Sequence, residues 1–449
     1  NRQSLYTFHK DYNFHFSDVD FTDYNIRKYL ETNNEYIRPL GLDKGYFDIE
    51  VDITNYYQFP KPELAPRPVC LISYLVDTTK VLHAFVLFNE KNKSMYKFFD
   101  QIYSDEWTNK TIKEYFPKTS NLEIHVFDDE LEMIKEFFDM VNNDKPDFMN
   151  AWNSYFDLKT LETRINKLSG DDKYAAYDVM SDKKIPSSIR KVRITEDTRN
   201  VGDFAKKNDK FQISSYSQYV DLCYCYATIR IPKGKKDSYS LDAIALEEID
   251  MNKIELDGDI RTALHKNFEN FLIYSLTDTY LLWIMEDKNK DVDLLYSMSQ
   301  ITYTRFSHVM QKTTSIRNLA AKFLEDNNYV ISNNKNKLID NVKTKFRGAF
   351  VCSPNLMYNV GIYLNGIPSN KIFGWSIDQD LAAMYPNQII ALGIDSDTMI
   401  GKIIRENNFA FGEEVYRILI EDDFSVIGKV MLNLPTAEEV ILNLEEYLI

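Results

Sequence analysis

The stretch Tyr46-Phe47-Asp48-Ile49-Glu50-Val51-Asp52 alternates apolar and acidic residues with a period of two. On a β-strand that period places Phe47, Ile49 and Val51 on one face and Asp48, Glu50 and Asp52 on the other. Residues two apart on a strand stand roughly 6.5–7 Å apart. At that spacing the side chains of Asp48 and Glu50 can converge on one hard cation while the apolar face anchors the strand in a core. An edge strand whose acidic face simply meets water has the same pattern. The stretch therefore acquires a functional meaning only through partners elsewhere in the chain.

Working outward, residues 1–45 are polar and aromatic and show no convincing helical face. After Asp52 comes a loop interrupted by Pro60, Pro62, Pro66 and Pro68, then apolar strands expected at 69–76 and 81–88. Residues 130–141 carry Leu131, Ile134, Phe137, Phe138 and Val141 on one helical stripe. Pro146 and a short strand at 148–152 follow, and Asn153 opens another helix. Cys223 and Cys225 read as alternating positions of a strand. The stretch 183–236 is rich in Lys and Arg, and its apolar segments 192–194 and 211–214 suggest a long hairpin; a solvated charged face is the plainer reading. A helix over 268–285 and further helices to about 327 complete an α/β pattern, before a β-like stretch from 345 towards 377.

Two further acidic signals lie in this frame. In Trp152-Asn153-Ser154-Tyr155-Phe156-Asp157, Asn153 suits a helix N-cap, which puts Asp157 in the first turns, where the helix dipole favours an anion. In Tyr274-Ser275-Leu276-Thr277-Asp278, the Tyr274 hydroxyl and the Asp278 carboxylate are four residues apart and share a helix face. Taken alone, each has an ordinary structural explanation: dipole compensation for Asp157, an exposed pair for Tyr274 and Asp278.

The 449 residues suffice for two or three domains. A net charge of −15 excludes a generally basic nucleic-acid coat, so any DNA contact must come from local patches. Four scattered cysteines offer neither a disulfide framework nor a zinc site, which points to a reducing, cytoplasmic setting. No apolar run has the length of a membrane span.

In combination and order, Asp48-x-Glu50, Asn153-x-x-x-Asp157 and Tyr274-x-x-x-Asp278 resemble the 3′–5′ proofreading exonuclease domain of family B DNA polymerases, most closely phage-type replicative ones. Tyr219-Val220-Asp221-Leu222 and Tyr239-Ser240-Leu241-Asp242-Ala243 agree with that family's strand and following helix start. The resemblance implies a ribonuclease-H-like fold with Asp48, Glu50, Asp157 and Asp278 as metal ligands and Tyr274 beside them. Asn153 and Phe156 would touch DNA, and the basic hairpin would help part the primer end from its template. The chemistry suits such a set. Phosphodiester hydrolysis needs a hydroxide, neutralisation of transition-state charge and a stabilised leaving oxygen, and two metals held by carboxylates supply all three. Oxygen-only ligands favour two Mg²⁺, with Mn²⁺ as a substitute. Tyr274 is too weak a base near neutrality and would position the attacking water by hydrogen bonding.

Trp375-Ser376-Ile377-Asp378-Gln379-Asp380-Leu381-Ala382-Ala383-Met384-Tyr385-Pro386-Asn387 resembles the first palm motif of the same family, Asp-x-x-Ser-Leu-Tyr-Pro-Ser. Tyr385-Pro386 sets the register, which implies that Asp380 is a metal ligand, that Met384 and Tyr385 bind the nucleotide, and that Tyr385 is the steric gate against a 2′-hydroxyl. Ala383, Met384 and Asn387 depart from the family pattern. Lys345-Phe346-Arg347-Gly348-Ala349-Phe350-Val351 is similar to the family's linker, where Arg347 and Gly348 would meet template phosphate.

The fingers helix and the second palm carboxylate strand do not follow, so the expectation is a truncated or split polymerase. Its parts would be a partial N-terminal domain (1–45), an exonuclease domain (46–293), a return to the N-terminal domain with linker (294–351) and the start of a palm (352–449). Implied partners are primer-template DNA and its single-stranded 3′ end, deoxynucleoside triphosphates, a sliding clamp, and a second polypeptide or C-terminal part carrying the fingers, remaining palm and thumb. No membrane is involved, and a phage-encoded protein would work in the host cytoplasm. The alternatives are a stand-alone 3′–5′ exonuclease, against which Asp380 and Tyr385-Pro386 argue, and a catalytically silent DNA-binding scaffold, against which the full carboxylate set argues.

Overall fold

The computed structural model describes residues 19–33, 41–200, 202–254, 256 and 259–329, with short elements between 363 and 433. The chain divides into two units, Asn1–Ile339 and Asp340–Ile449. In the first, the strands are β1 (Lys44–Val51), β2 (Val69–Val76), β3 (Val81–Leu87), β4 (Asn121–Phe127), β5 (Phe148–Ala151), β6 (Val192–Thr195), β7 (Lys210–Ile213) and β8 (Gln218–Asp221). Six of them form one sheet in the order β4-β3-β2-β1-β5-β8. β2 runs antiparallel to both β1 and β3, while β5 is parallel to β1 and β8 is parallel to β5. The acidic stretch thus lies at the centre of the sheet, not at an edge.

Period-two alternation builds a separate core on each face. Phe47, Ile49, Ile72, Tyr74 and Phe85 face helices α2 (Glu130–Asp144) and α3 (Ser154–Leu168), packing with Ile134, Phe137, Phe138, Leu158 and Leu161. α2 starts where the Asp129 side chain accepts a hydrogen bond from the Glu132 amide and stops at Lys145, which adopts φ 54°. On the other face, Tyr46, Leu71, Leu75, Leu82 and Val86 meet the long helix α6 (Phe268–Asn289) through Leu272, Leu276, Tyr280 and Trp283. α6 is apolar nearly all round, which is the pattern of a helix inside a core rather than on a surface. Each large side chain buried there contributes about 1.5–3 kcal/mol.

Small residues decide how closely α6 approaches. Asp48 on β1 pairs with Ser73 on β2, and Ser73 with Ala84 on β3. Ser73 is fully buried, and its Oγ lies 2.6 Å from Thr279 Oγ1 and 3.3 Å from the Ser275 carbonyl. Gly45 does similar work at the β1–β5 junction, where a Cβ would come within 2.5 Å of Met149 Sδ. Buried Lys44 then ties β1 to the far end of α6 by an ion pair to Glu286 (3.5 Å) and to the following helix by one to Asp293 (2.7 Å).

β6 and β7 form the antiparallel hairpin expected from the sequence. Val192 and Ile194 are buried, while Arg193, Thr195, Lys210 and Gln212 are exposed. Much of the surrounding basic stretch is neutralised by ion pairs such as Lys183–Asp139, Arg190–Asp178, Lys207–Asp209 and Arg230–Asp291.

Two sequence readings are corrected. Residues 21–33, expected to lack a helical face, form α1 (Phe21–Asn33). Long-range polar contacts hold it instead of an apolar stripe: Arg27 and Lys28 pair with Glu325, and buried Asp23 accepts from Arg305 and Asn318. Cys223 and Cys225 lie on helix α4 (Leu222–Arg230), not a strand, because Asp221 caps it by accepting from the Tyr224 amide at 3.0 Å. A short apolar run satisfies both periodicities, and the cap decides. The expected boundary at 293/294 falls inside helix α7 (Asp291–Ile301). Helix α8 (Lys312–Asp326) supplies two of the partners of α1, Asn318 and Glu325.

In the second unit, strands Lys402–Asn408, Glu413–Leu419 and Val430–Asn433 form an antiparallel sheet, and Met384–Ala391 is helical. Arg347, Gly348 and Asp380 lie outside the described residues.

The Ser73 seam yields a test. Ser73→Val both removes the hydroxyl and adds a methyl group where α6 is closest, and should cost about 1–3 kcal/mol in urea unfolding. An unchanged midpoint would show that the seam is not tightly packed.

Candidate metal centre

β1 projects Asp48 and Glu50 from the face that α6 covers, and α6 returns Asp278 to them. Ligand oxygens of Asp48, Glu50 and Asp278 all lie within 4.8 Å of one another. The β1–β2 register shifts between Glu50 and Val51, a bulge that ends regular pairing beside the two carboxylates. Asp157, in the first turn of α3, is buried and stands outside this tight trio but within its field. Asn153 occupies the N-cap position of α3, yet its side chain makes no capping bond. Ser154 anchors the helix start instead, its Oγ donating to the Val220 carbonyl at 2.8 Å.

Burial and mutual repulsion dominate the electrostatics. Burial, then the Asp278 charge, pushes the Asp48 carboxyl up to about 8. Burial and the neighbouring carboxylates hold Glu50 and Asp157 well above the usual carboxylate range. Asp221, beside Asp157, is raised by burial to about 7. Asp278 is raised by burial despite a cationic neighbour. Such a cluster is unfavourable in the ionised form unless positive charge is brought to it.

One positive charge comes from Lys253, which sequence reasoning missed. Its Nζ donates to Asp278 Oδ2 at 2.6 Å and sits 5.2 Å from the centre of the Tyr274 ring. The loop carrying it follows helix α5 (Leu241–Ile249) and is held by Asp242 of that helix, whose carboxylate accepts from the Lys253 amide at 2.9 Å. A lone lysine in a polar loop carries no sequence signal; only the return of that loop to α6 places it. Asp278 Oδ1 is buried and has no hydrogen-bond partner among the described residues. An all-oxygen trio, one buried oxygen of which is unsatisfied, fits a hard divalent cation such as Mg²⁺ or Mn²⁺.

Tyr274 lies one turn before Asp278 on α6 and is half-buried. Burial and the Asp278 charge raise its phenol to about 12, so it stays protonated near neutrality. Phe156 is half-buried, its ring 5.3 Å from that of Phe59. Trp152, Asn153, Phe204, Lys207, Asp221, Lys235, Lys236 and Tyr239 help line a cavity of about 560 Å³. In the second unit Tyr385 is exposed on the helix Met384–Ala391.

A sheet of this order, with carboxylates converging on its central strand, defines a ribonuclease-H-like domain. The sequence model of the family described as DNA polymerase family B, exonuclease domain, matches residues 22–244. These residues, just under half of the chain, therefore carry the exonuclease domain of that family. It is 23% identical over 389 residues to the DNA-directed DNA polymerase of Escherichia phage RB69, covering 84% of this chain and 38% of that protein. It is also 23% identical over 279 residues to the DNA-directed DNA polymerase of Enterobacteria phage T4, covering 62% of this chain and 27% of that one. The chain therefore spans well under half the length of these relatives. Tyr274, Asp278 and Lys253 lie beyond the family match and reach the centre through tertiary packing alone.

Lys253→Met should leave Asp278 buried without its cation. The expected loss is about 1–3 kcal/mol in EDTA, below the full cost of breaking a buried pair because Lys253 is partly exposed and Asp278 can take up a proton. Millimolar Mn²⁺ should restore much of it. Equal unfolding midpoints for variant and parent in EDTA would show that Lys253 does not balance the cluster.

Proposed function

We propose that this domain hydrolyses DNA from single-stranded 3′ ends as the proofreading exonuclease of a family B DNA polymerase acting in replication. The observation that carries the reading is the convergence of Asp48, Glu50 and Asp278 oxygens within 4.8 Å around a buried, unsatisfied carboxylate oxygen. Asp48, Glu50, Asp157 and Asp278 would hold two Mg²⁺ ions, or Mn²⁺, which when bound supply a nucleophilic hydroxide and neutralise transition-state charge. Tyr274, held neutral, keeps its hydroxyl available to orient the attacking water by hydrogen bonding. Lys253 opposes the effect of burial on Asp278 and adds positive charge beside the carboxylates. Asn153, with its side chain uncommitted to capping, and Phe156 would receive the terminal nucleotides.

The exposed outward side of the β6–β7 hairpin, with Arg193 and Lys210, supplies a basic surface for DNA phosphates. Template-directed synthesis from deoxynucleoside triphosphates belongs to the same reading. Asp380 would be its metal ligand, Met384 and Tyr385 its nucleotide contacts, and Arg347 and Gly348 its template contacts. The exposure of Tyr385 leaves its ring free to meet a sugar. Among the described residues no helix is long and apolar enough to cross a membrane.

Two substitutions test the exonuclease. Asp48→Ala with Glu50→Ala should abolish metal-dependent digestion of a 3′-labelled single strand while leaving the far-ultraviolet circular dichroism unchanged. Undiminished digestion by nuclease-free double variant would refute the assignment. Tyr274→Phe should slow single-turnover hydrolysis roughly 10- to 100-fold, less than loss of a full acid–base group, with unchanged Mn²⁺ affinity. A rate equal to the parent's would return Tyr274 to a packing role.

A further inference from the structure

A second cluster of metal-ligating side chains lies away from the carboxylate centre, where β3 pairs in parallel with β4. The register sets His83 beside Glu123 and Phe85 beside His125. Glu123 and His125 are two apart on β4, so all three ligating side chains emerge on one face. It is the face of Tyr74 and Phe85, opposite the one that carries Asp48, Ser73 and Ala84. His83 Nδ1 lies 3.1 Å from His125 Nε2 and 3.5 Å from Glu123 Oε2, and ligand atoms of the three residues all fall within 4.8 Å of one another. Zinc bonds of about 2.0–2.1 Å in a tetrahedron put neighbouring ligand atoms about 3.3–3.5 Å apart, so the two separations from His83 Nδ1 bracket the edges of such a site.

The rings are held in place. His125 stacks on Phe85 with centroids 5.0 Å apart, and His83 stacks beside Tyr74 at 6.0 Å. Burial depresses His83 to about 4 and also lowers His125, outweighing the pull of Glu123 on both and of Glu136 on His125. Both imidazoles are therefore neutral at neutral pH, the form that offers a lone pair to a metal. Glu123 is about half exposed, so the site opens to solvent at the edge strand and leaves a fourth position for water.

We propose that His83, His125 and Glu123 form a transition-metal site, separate from the carboxylate centre, that takes Zn²⁺ and ties edge strand β4 to β3. Two imidazoles and one carboxylate select zinc over magnesium, whereas the all-oxygen centre on the other face has the opposite preference. Because the three ligands meet only when the two strands are paired, metal binding favours the folded sheet.

The test uses the full chain carrying Asp48→Ala and Glu50→Ala, which removes the competing centre. Isothermal titration with Zn²⁺ should show one site, and Co²⁺ in its place should give the intense visible absorption of tetrahedral coordination. His83→Asn and Glu123→Gln should each weaken Zn²⁺ binding by at least about tenfold, with Mg²⁺ unable to compete. Glu123→Gln is the safeguard against misfolding, since that side chain is half exposed. Absence of Zn²⁺ binding in the parent, with the two rings merely hydrogen-bonded to each other, overturns the proposal. Zn²⁺ binding that survives Glu123→Gln and His83→Asn unchanged overturns it equally.

Discussion

The contact on which the rest of the domain depends is the close seam between β2 and α6, where Ser73 meets Thr279 and the Ser275 carbonyl. Asp48 is the cross-strand neighbour of Ser73, and Asp278 is the residue before Thr279. Bringing those two hydroxyls together therefore brings the two carboxylates together. A large residue at position 73 or 84 would lift the helix off the sheet and move Asp278 away from Asp48, leaving most of the apolar packing in place. The site's geometry is a by-product of packing density at one row of small side chains.

That packing opposes an electrostatic cost. Four carboxylates in a shared, largely dehydrated space repel one another, and the fold tolerates them because Lys253 balances one and because aromatic and aliphatic burial on both faces of the sheet outweighs the rest. Stability has been given up where positive charge is meant to bind. The unsatisfied Asp278 oxygen is the local mark of that arrangement.

The two faces of the sheet also divide the chemistry by ligand hardness. Oxygen donors gather under α6, and imidazoles gather at the opposite edge beside α2. The same alternation that separates the two cores separates the two donor sets, so one ion need not displace the other.

The sequence by itself determined the strand that begins the centre, because Tyr46 to Asp52 alternates without ambiguity. It also determined the helix that starts at 130, the paired segments near 192 and 211, and the helix bearing Tyr274 and Asp278, whose apolar patterns are clear; the strand over 219–221 was legible only through the family resemblance. Motif order then joined carboxylates far apart in the chain. Where the signal was short or non-apolar, only tertiary structure decided. Leu222 to Tyr226 fits either period, and the Asp221 cap makes it a helix. α1 is held by Arg27, Lys28 and Asp23 to partners about 300 residues away, contacts that leave no periodic trace. Lys253 and the His83–His125–Glu123 cluster were invisible for the same reason. A loop lysine or a strand histidine is ordinary in one dimension, and becomes chemistry only when folding sets another residue within 3 Å or so of it.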